Sequence, residues 1–204
     1  MASEEEEIDL NKEKLIFALI PARSGSKGIK DKNIIDFKGK PLFTHSIIQG
    51  LKSPYIDEVY VSTDSEKYAE IARNYGAKVP FLRPKKISEN DSTDFEVFDH
   101  FISFLFNNEY KIPDILVHLR PTYPTRKMND LDEAIQFFLK YFDEADSLRS
   151  VIKAPQTPYK MWKKEGKYLR PLLHLPDTKE PYNLPRQKLP NFYFQNACID
   201  MMKT

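Results

Sequence analysis

Between residues 23 and 40 the chain sets six cations, Arg23, Lys27, Lys30, Lys32, Lys38 and Lys40, against only Asp31 and Asp36. Three of its six glycines, Gly25, Gly28 and Gly39, fall in the same stretch. Fixed positive charge, hydroxyls and permissive backbone are the parts of a polyphosphate cradle. Ser24 or Ser26 and exposed amides can hydrogen-bond phosphate oxygens, while Arg23, Lys27 and Lys32 neutralise charge that shifts during phosphoryl or nucleotidyl transfer. The loop is not a Walker sequence, because Ile29 rather than Lys follows Gly28, and it lacks G-x-G-x-x-G. Gly25-Ser26-Lys27-Gly28 does satisfy the G-x-x-G of an RNA-binding KH loop, but such a loop should follow a helix. A solvated loop of solubilising lysines is the plainer alternative. A second loop rich in polar chemistry runs from Arg120 to Arg126.

The elements that must hold these loops follow from hydrophobic period. Leu15 to Ile20 is a continuous apolar run that predicts a strand buried on both faces, with the basic loop directly after it. Helical spacing is expected over Leu42 to Leu51, with Pro41 in the first turn. A strand follows at Glu58 to Ser62, then a helix capped by Thr63 or Asp64 and closed by Gly76. Val79 to Leu82 predicts a short strand. Phe95, Phe98, Ile102, Leu105 and Phe106 predict an amphipathic helix starting near Thr93 or Asp94, with this stripe as core. Ile115 to Leu119 reads as a buried strand, and Leu131 to Phe142 as a helix capped by Asn129 or Asp130. Alternating strand and helix implies an α/β fold with a mainly parallel sheet flanked by helices, whose ligands sit beyond the carboxyl ends of the strands. Both loaded loops lie at that edge.

From Lys153 to Phe192 seven prolines interrupt a segment still rich in Tyr, Trp and Leu, which predicts an extended Pro/aromatic arm for dimerisation, with Tyr159 and Trp162 in subunit contact. Tyr193 to Met202 again reads as a strand, after which a C-terminal portion is expected to be missing. Residues 1–14, led by Glu4 to Glu7, read as a disordered acidic tail, leaving 15–204 as one domain. Over 204 residues the net charge is +1, which removes the general electrostatic case for nucleic-acid binding. No apolar run approaches the roughly 20 residues a membrane helix needs. The single Cys198 forbids an internal disulfide and a Cys-rich metal site and fits a reducing cytoplasm. Cys198, His100 and His118 are expected to be packing residues.

Ile20-Pro21-Ala22-Arg23-Ser24-Gly25-Ser26-Lys27-Gly28, with Lys32-Asn33 and Gly39-Lys40-Pro41-Leu42, strongly resembles the acylneuraminate cytidylyltransferases, the CMP-sialic acid synthetases. Val61-Ser62-Thr63-Asp64, the run Tyr75 to Pro84, Leu119 to Arg126, Pro185 to Pro190 and Asn196-Ala197-Cys198-Ile199 match family motifs in order, over about residues 15 to 200. The resemblance implies a Rossmann-like nucleotidyltransferase that joins CMP from CTP to the anomeric hydroxyl of an acylneuraminate or related nonulosonic acid. Pyrophosphate is released with Mg²⁺ assistance, in a homodimer. Alternatives are the same chemistry on 3-deoxy-manno-octulosonate or with another nucleoside triphosphate, or a catalytically silent nucleotide-binding or assembly protein.

By matching positions, Arg23, Lys27 and Lys32 are the implied catalytic cations. Ala22, Arg23, Ser26, Lys27, Asn33, Arg83, Arg120, Pro121 and Thr122 are the implied nucleotide site, and Tyr123, Arg186, Gln187 and Asn196 the acid-sugar side. A guanidinium at Arg186 suits a carboxylate bidentately. The chain has Arg120-Pro121-Thr122-Tyr123 where the family usually has Gln-Pro-Thr-Ser, and Asp200 where an aromatic usually follows the Asn-Gly-Ala-Ile run. The family's Asp-x-Asp metal segment is expected beyond Thr204.

Overall fold

A computed structural model describes residues 14–26 and 28–204; most of the expected acidic tail, and Lys27, lie outside the described residues. The elements run β1 (Ile16–Pro21), β2 (Asp36–Phe37), β3 (Lys40–Pro41), α1 (Thr44–Lys52), β4 (Glu58–Ser62), α2 (Glu66–Asn74), α3 (Asp94–Asn107), β5 (Ile115–His118), α4 (Met128–Lys140), β6 (Ser147–Lys153), β7 (Trp162–Glu165), β8 (Tyr168–Pro171) and β9 (Tyr193–Lys203). The chain divides into two compact units, one of residues up to Arg149 plus Cys198–Thr204, the other of Ser150–Ala197.

The first unit is built on the strands β4-β1-β5 and the part of β9 from Cys198 onward. β1 is central and parallel to both neighbours, pairing Ala18 with Val59 of β4 and with Val117 of β5; β9 then runs antiparallel to β5, with His118 opposite Asp200. The unbroken apolar run of β1 has a simple cause. Ile16, Ala18 and Ile20 pack in one cluster with Phe43 and Ile47 of the α1 region and Leu131 and Ile135 of α4, whereas Phe17 and Leu19 pack in the other with Phe98, Phe101 and Leu105 of α3. Layers on both faces leave no solvent side for a polar residue. Gly50 on α1 is fixed by the same closeness, since a Cβ there would stand 2.9 Å from Val59 Cγ2.

Several expectations shift. Pro41 belongs to the β2–β3 hairpin rather than to a helix; α1 starts at Thr44, whose Oγ1 donates to the Pro41 carbonyl. Ser65 precedes α2 in place of Thr63 or Asp64, and Asp64 is engaged elsewhere, as described below. Val79–Leu82 forms no strand; only Lys78 bridges Tyr60, and Pro80 and Pro84 cannot donate to a ladder. Lys127 precedes α4, two or three residues before the expected cap. On α3, Phe95 and Phe106 are 75% and 74% exposed, so the buried stripe is Val97, Phe98, Phe101 and Leu105. Phe98, Phe101 and Leu105 follow one another at steps of three and four, with Val97 four residues before Phe101, as one helix face requires.

The second unit contains the β7–β8 hairpin, pairing Trp162 with Pro171, and short 3-10 turns that begin at Pro158, Pro181 and Arg186. Tyr159 meets Phe192 edge-on and Trp162 lies against Tyr182. Trp162, Tyr168, Leu169, Tyr193 and Phe194 remain exposed. No helix among the described residues is long and apolar enough to cross a membrane.

Candidate nucleotide site

Pro21 ends β1 and the chain turns at once into the basic loop, whose shape is set by three anchors. The Ser24 amide and hydroxyl both donate to Asp64, at 2.7 and 2.8 Å. Asn33 is buried and its Nδ2 donates to the Arg23 carbonyl at 2.9 Å. Tyr68 of α2 donates to Asp31, a residue held at φ +50°. Gly25, at φ +67°, adopts a conformation that costs most side chains strain. Of the two candidate hydroxyls, Ser24 is therefore committed to Asp64 and Ser26 faces the cavity.

That cavity, of ≈ 190 Å³, is lined by Pro21, Arg23, Ser26, Lys32 and Asn33 from the loop, and by Arg83, Ile87, Glu89 and Ser92 from the segment before α3. Thr93, Asp94 and Val97 at the start of α3, and His118, Arg120, Pro121 and Thr122 at the end of β5, complete it. It opens at the carboxyl ends of parallel strands β1 and β5, where such sheets place their ligands. Eight of the residues expected from sequence meet here: Arg23, Ser26, Lys32, Asn33, Arg83, Arg120, Pro121 and Thr122. The Arg23 Nη2 donates to Asn90 Oδ1 at 2.8 Å, tying the loop to the segment opposite.

Arg83 is the unusual member. Its amide donates to the Thr63 carbonyl at 2.7 Å, yet the side chain is 5% exposed with Nε and Nη2 lacking any hydrogen-bond partner. Burial pushes its guanidinium down to about 10. Asp64 and Asp94 offset part of the cost of burial without hydrogen-bonding the guanidinium, and an anion in the cavity would supply the missing partner. Arg120 is the opposite case. Its Nη1 lies 2.8 Å from Asp94 Oδ2, and its Nε and Nη2 reach Asp200 Oδ2 at 3.3 and 3.1 Å. Two of the departures from the resembled pattern, Arg120 and Asp200, thus meet in one ion pair. His118 is buried beside them, edge-on to Phe98; burial first, then the Arg120 charge, holds its pKa well below the ordinary histidine range.

Other expected residues lie elsewhere. Ala22 is fully buried, its amide donating to the Ser62 carbonyl, so its side chain is not on the cavity wall. Tyr123 packs against the core and hydrogen-bonds Cys198 instead of lining the cavity. Within the second unit, Arg186 and Gln187 line a cavity of ≈ 380 Å³ with Lys153, Gln156 and Thr157, and the Arg186 Nη2 donates to the Ala154 carbonyl at 3.3 Å. Asn196 accepts from Ser150 through its Oδ1. Glu89, Asp94 and His118 are wall residues that motif reading missed. The helix start at Thr93 and the strand end at His118 were the available signals. Among the described residues no three His, Cys, Asp or Glu side chains converge to hold a metal, and Asp94 and Asp200 are occupied by Arg120, so the residues around the cavity do not fit Mg²⁺.

Residues 17–171 match the family model described as Cytidylyltransferase. The pseudaminic acid cytidylyltransferase of Campylobacter jejuni subsp. jejuni serotype O:2 is 41% identical over 122 residues, 60% of this chain and 52% of the relative. The N-acylneuraminate cytidylyltransferase of Escherichia coli O18:K1:H7 is 37% identical over 123 residues, 60% of this chain and 28% of the relative. The chain thus spans about half the length, or less, of these curated relatives. In fold it is similar to a solved CMP:2-keto-3-deoxy-manno-octonic acid synthetase complexed with CTP, with a TM-score of 0.65 at 17% identity, over 93% of this chain and 74% of that one. A family match over most of the chain, on the α/β sheet whose strand ends carry the cationic cavity, establishes that it belongs to the cytidylyltransferase family.

Proposed function

We propose that the protein transfers CMP from CTP to the anomeric hydroxyl of an acid sugar of the nonulosonic class, releasing pyrophosphate. The observation that carries this is Arg83, a buried guanidinium with two unpartnered nitrogens on the wall of a cavity that also holds Arg23 and Lys32. These three cations suit a polyphosphate. In the transfer, the sugar oxygen attacks the α-phosphorus in line, a P–O bond forms, and the bond to the pyrophosphate breaks. The protein's share is to align the reactants and stabilise charge on the leaving group, for which Arg23, Lys32, Arg83 and the Ser26 hydroxyl are placed. Asn33 serves by holding the Arg23 carbonyl. The names of the relatives support an N-acylated acid sugar as acceptor. We read Arg186 and Gln187 as sugar-side residues, the exposed aromatics of the second unit as the seat of a homodimer, and the cytoplasm as the compartment.

A pyrophosphate-release assay tests the reading, with each of four nucleoside triphosphates against pseudaminic acid, N-acetylneuraminic acid and 3-deoxy-manno-octulosonate. Release with CTP and an N-acylated acid supports it. CTP binding without release under any acceptor would favour a silent nucleotide-binding protein, and release with sugar phosphates alone would overturn the acceptor class.

A further inference from the structure

Arg120 stands between two cavities: with Pro121 and Thr122 it borders the nucleotide cavity, and with Phe98, Asp200 and Met202 it borders a neighbouring one of ≈ 220 Å³. Each of its guanidinium nitrogens faces a carboxylate, Nη1 at Asp94 and Nε with Nη2 at Asp200. Asp200 is 5% exposed and lines the neighbouring cavity but not the nucleotide cavity, so the guanidinium is tethered on the far side of the wall. One cation against two anions gives the cluster a net charge of −1, in a wall that Arg23, Lys32 and Arg83 otherwise make cationic. Moving Arg120 to a phosphate would strand a buried carboxylate whose other oxygen, Oδ1, already lacks a partner.

We propose that Asp200 is a positioning residue that withholds Arg120 from the nucleotide's phosphates and so restrains the site's affinity for polyphosphates. This rests on the reading that CTP occupies the first cavity. A fourth available cation would tighten every polyphosphate there, the departing pyrophosphate included. Clamped, Arg120 shapes the wall without adding to that grip, and the discrimination it imposes scales with ligand charge.

Calorimetric titration of the full chain with CTP and with CMP tests the clamp without relying on turnover. Asp200→Asn should tighten CTP binding by about three- to tenfold, as expected for a charge restored near a polyanion, and CMP by less. Asp94→Asn should act in the same direction and more weakly, because that carboxylate is the more exposed of the two. In an Arg120→Gln background either gain should vanish. Unchanged or weaker CTP binding by a folded Asp200→Asn protein overturns the clamp, as does an equal gain with and without Arg120, which would be a bare charge effect. Should circular dichroism show Asp200→Asn unfolded, the Asp94→Asn and Arg120→Gln cycle decides by the same signs. Wild-type protein that binds no CTP removes both the site and the clamp. CTP binding that Arg83→Met weakens, without a gain in the aspartate variants, removes the clamp alone.

Discussion

The two ends of the nucleotide cavity use the same kind of side chain for opposite purposes. On the β1 side, among the described residues, Arg83 is buried with two nitrogens unpartnered, and Arg23 has an asparagine oxygen and a long contact to the Gly25 carbonyl. On the β5 side, Arg120 is held by two carboxylates, and Arg126, buried behind the cavity wall, sends its Nε to the Cys198 carbonyl at 2.7 Å and its Nη1 to Gln49 Oε1 at 2.6 Å, leaving only Nη2 without a partner among the described residues. Gln49 in turn donates to the carbonyls of Pro124 and Arg126. A guanidinium tied down on two sides is a strut, and one whose buried nitrogens find no side-chain acceptor is an offer to a ligand. Bonded acceptors, not residue type, separate the two.

Exchanging each kind of arginine for methionine should pull stability and binding apart. Arg83→Met should lose CTP affinity by about two orders of magnitude while leaving the urea midpoint unchanged or raised, because a desolvated charge is replaced by an apolar chain of similar length. Arg126→Met should do the reverse to stability, lowering it by about 3 kcal/mol in urea titration, since Gln49 Oε1 and the Cys198 carbonyl lose their donor in the interior. If the two variants lose stability alike, the distinction between strut and offer is wrong.

The same division explains what could be read from the sequence. β1, β4, β5 and the four helices announce themselves by period, and the basic loop by its clustered charge and glycine. Their meeting at strand ends follows from the parallel α/β pattern. Partnership could not be read. Arg83 and Arg120 look equivalent in the chain, and only the approach of α3 and β9 brings Asp94 and Asp200 into direct contact with one of them. Ser24 and Ser26 were likewise interchangeable until Asp64 took the first. Phe95 and Phe106 were misplaced because a Phe-rich helix has more apolar residues than its buried face can hold, and spacing from Phe98 does not say which are surplus. The strand expected at Val79–Leu82 failed because Pro80 inside it cannot donate to a ladder, whatever its apolar content.

His118 sharpens the comparison through pH. It is buried at the β5 end among Arg120, Asp94, Asp200 and Arg126, and its folded pKa lies below the unfolded value near 6.5. Between the two values the unfolded chain binds more protons, so stability is full above about pH 6.5 and declines as pH falls toward the folded pKa. Relative to His118→Gln, the wild type should lose an additional 1–2 kcal/mol, roughly, between pH 7 and pH 5 in urea titrations. Parallel pH curves for the two proteins would mean that His118 is not held neutral.

The smallest effect is expected where α3 begins, at the junction of the two ends. Thr93 caps the helix through a reciprocal pair, its Oγ1 accepting from the Glu96 amide at 3.3 Å while its own amide donates to Glu96 Oε2 at 2.6 Å. Thr93→Ala should therefore cost about 1 kcal/mol. The next residue, Asp94, carries one of the Arg120 contacts, so fraying of this turn also loosens the β5 end while leaving Arg23, Lys32 and Arg83 in place. The variant should consequently show normal or slightly tighter CTP binding beside its lower melting point. A loss of CTP affinity matching the loss of stability would show that the two ends are one rigid unit, in which the partners of Arg120 cannot be varied without disturbing Arg83.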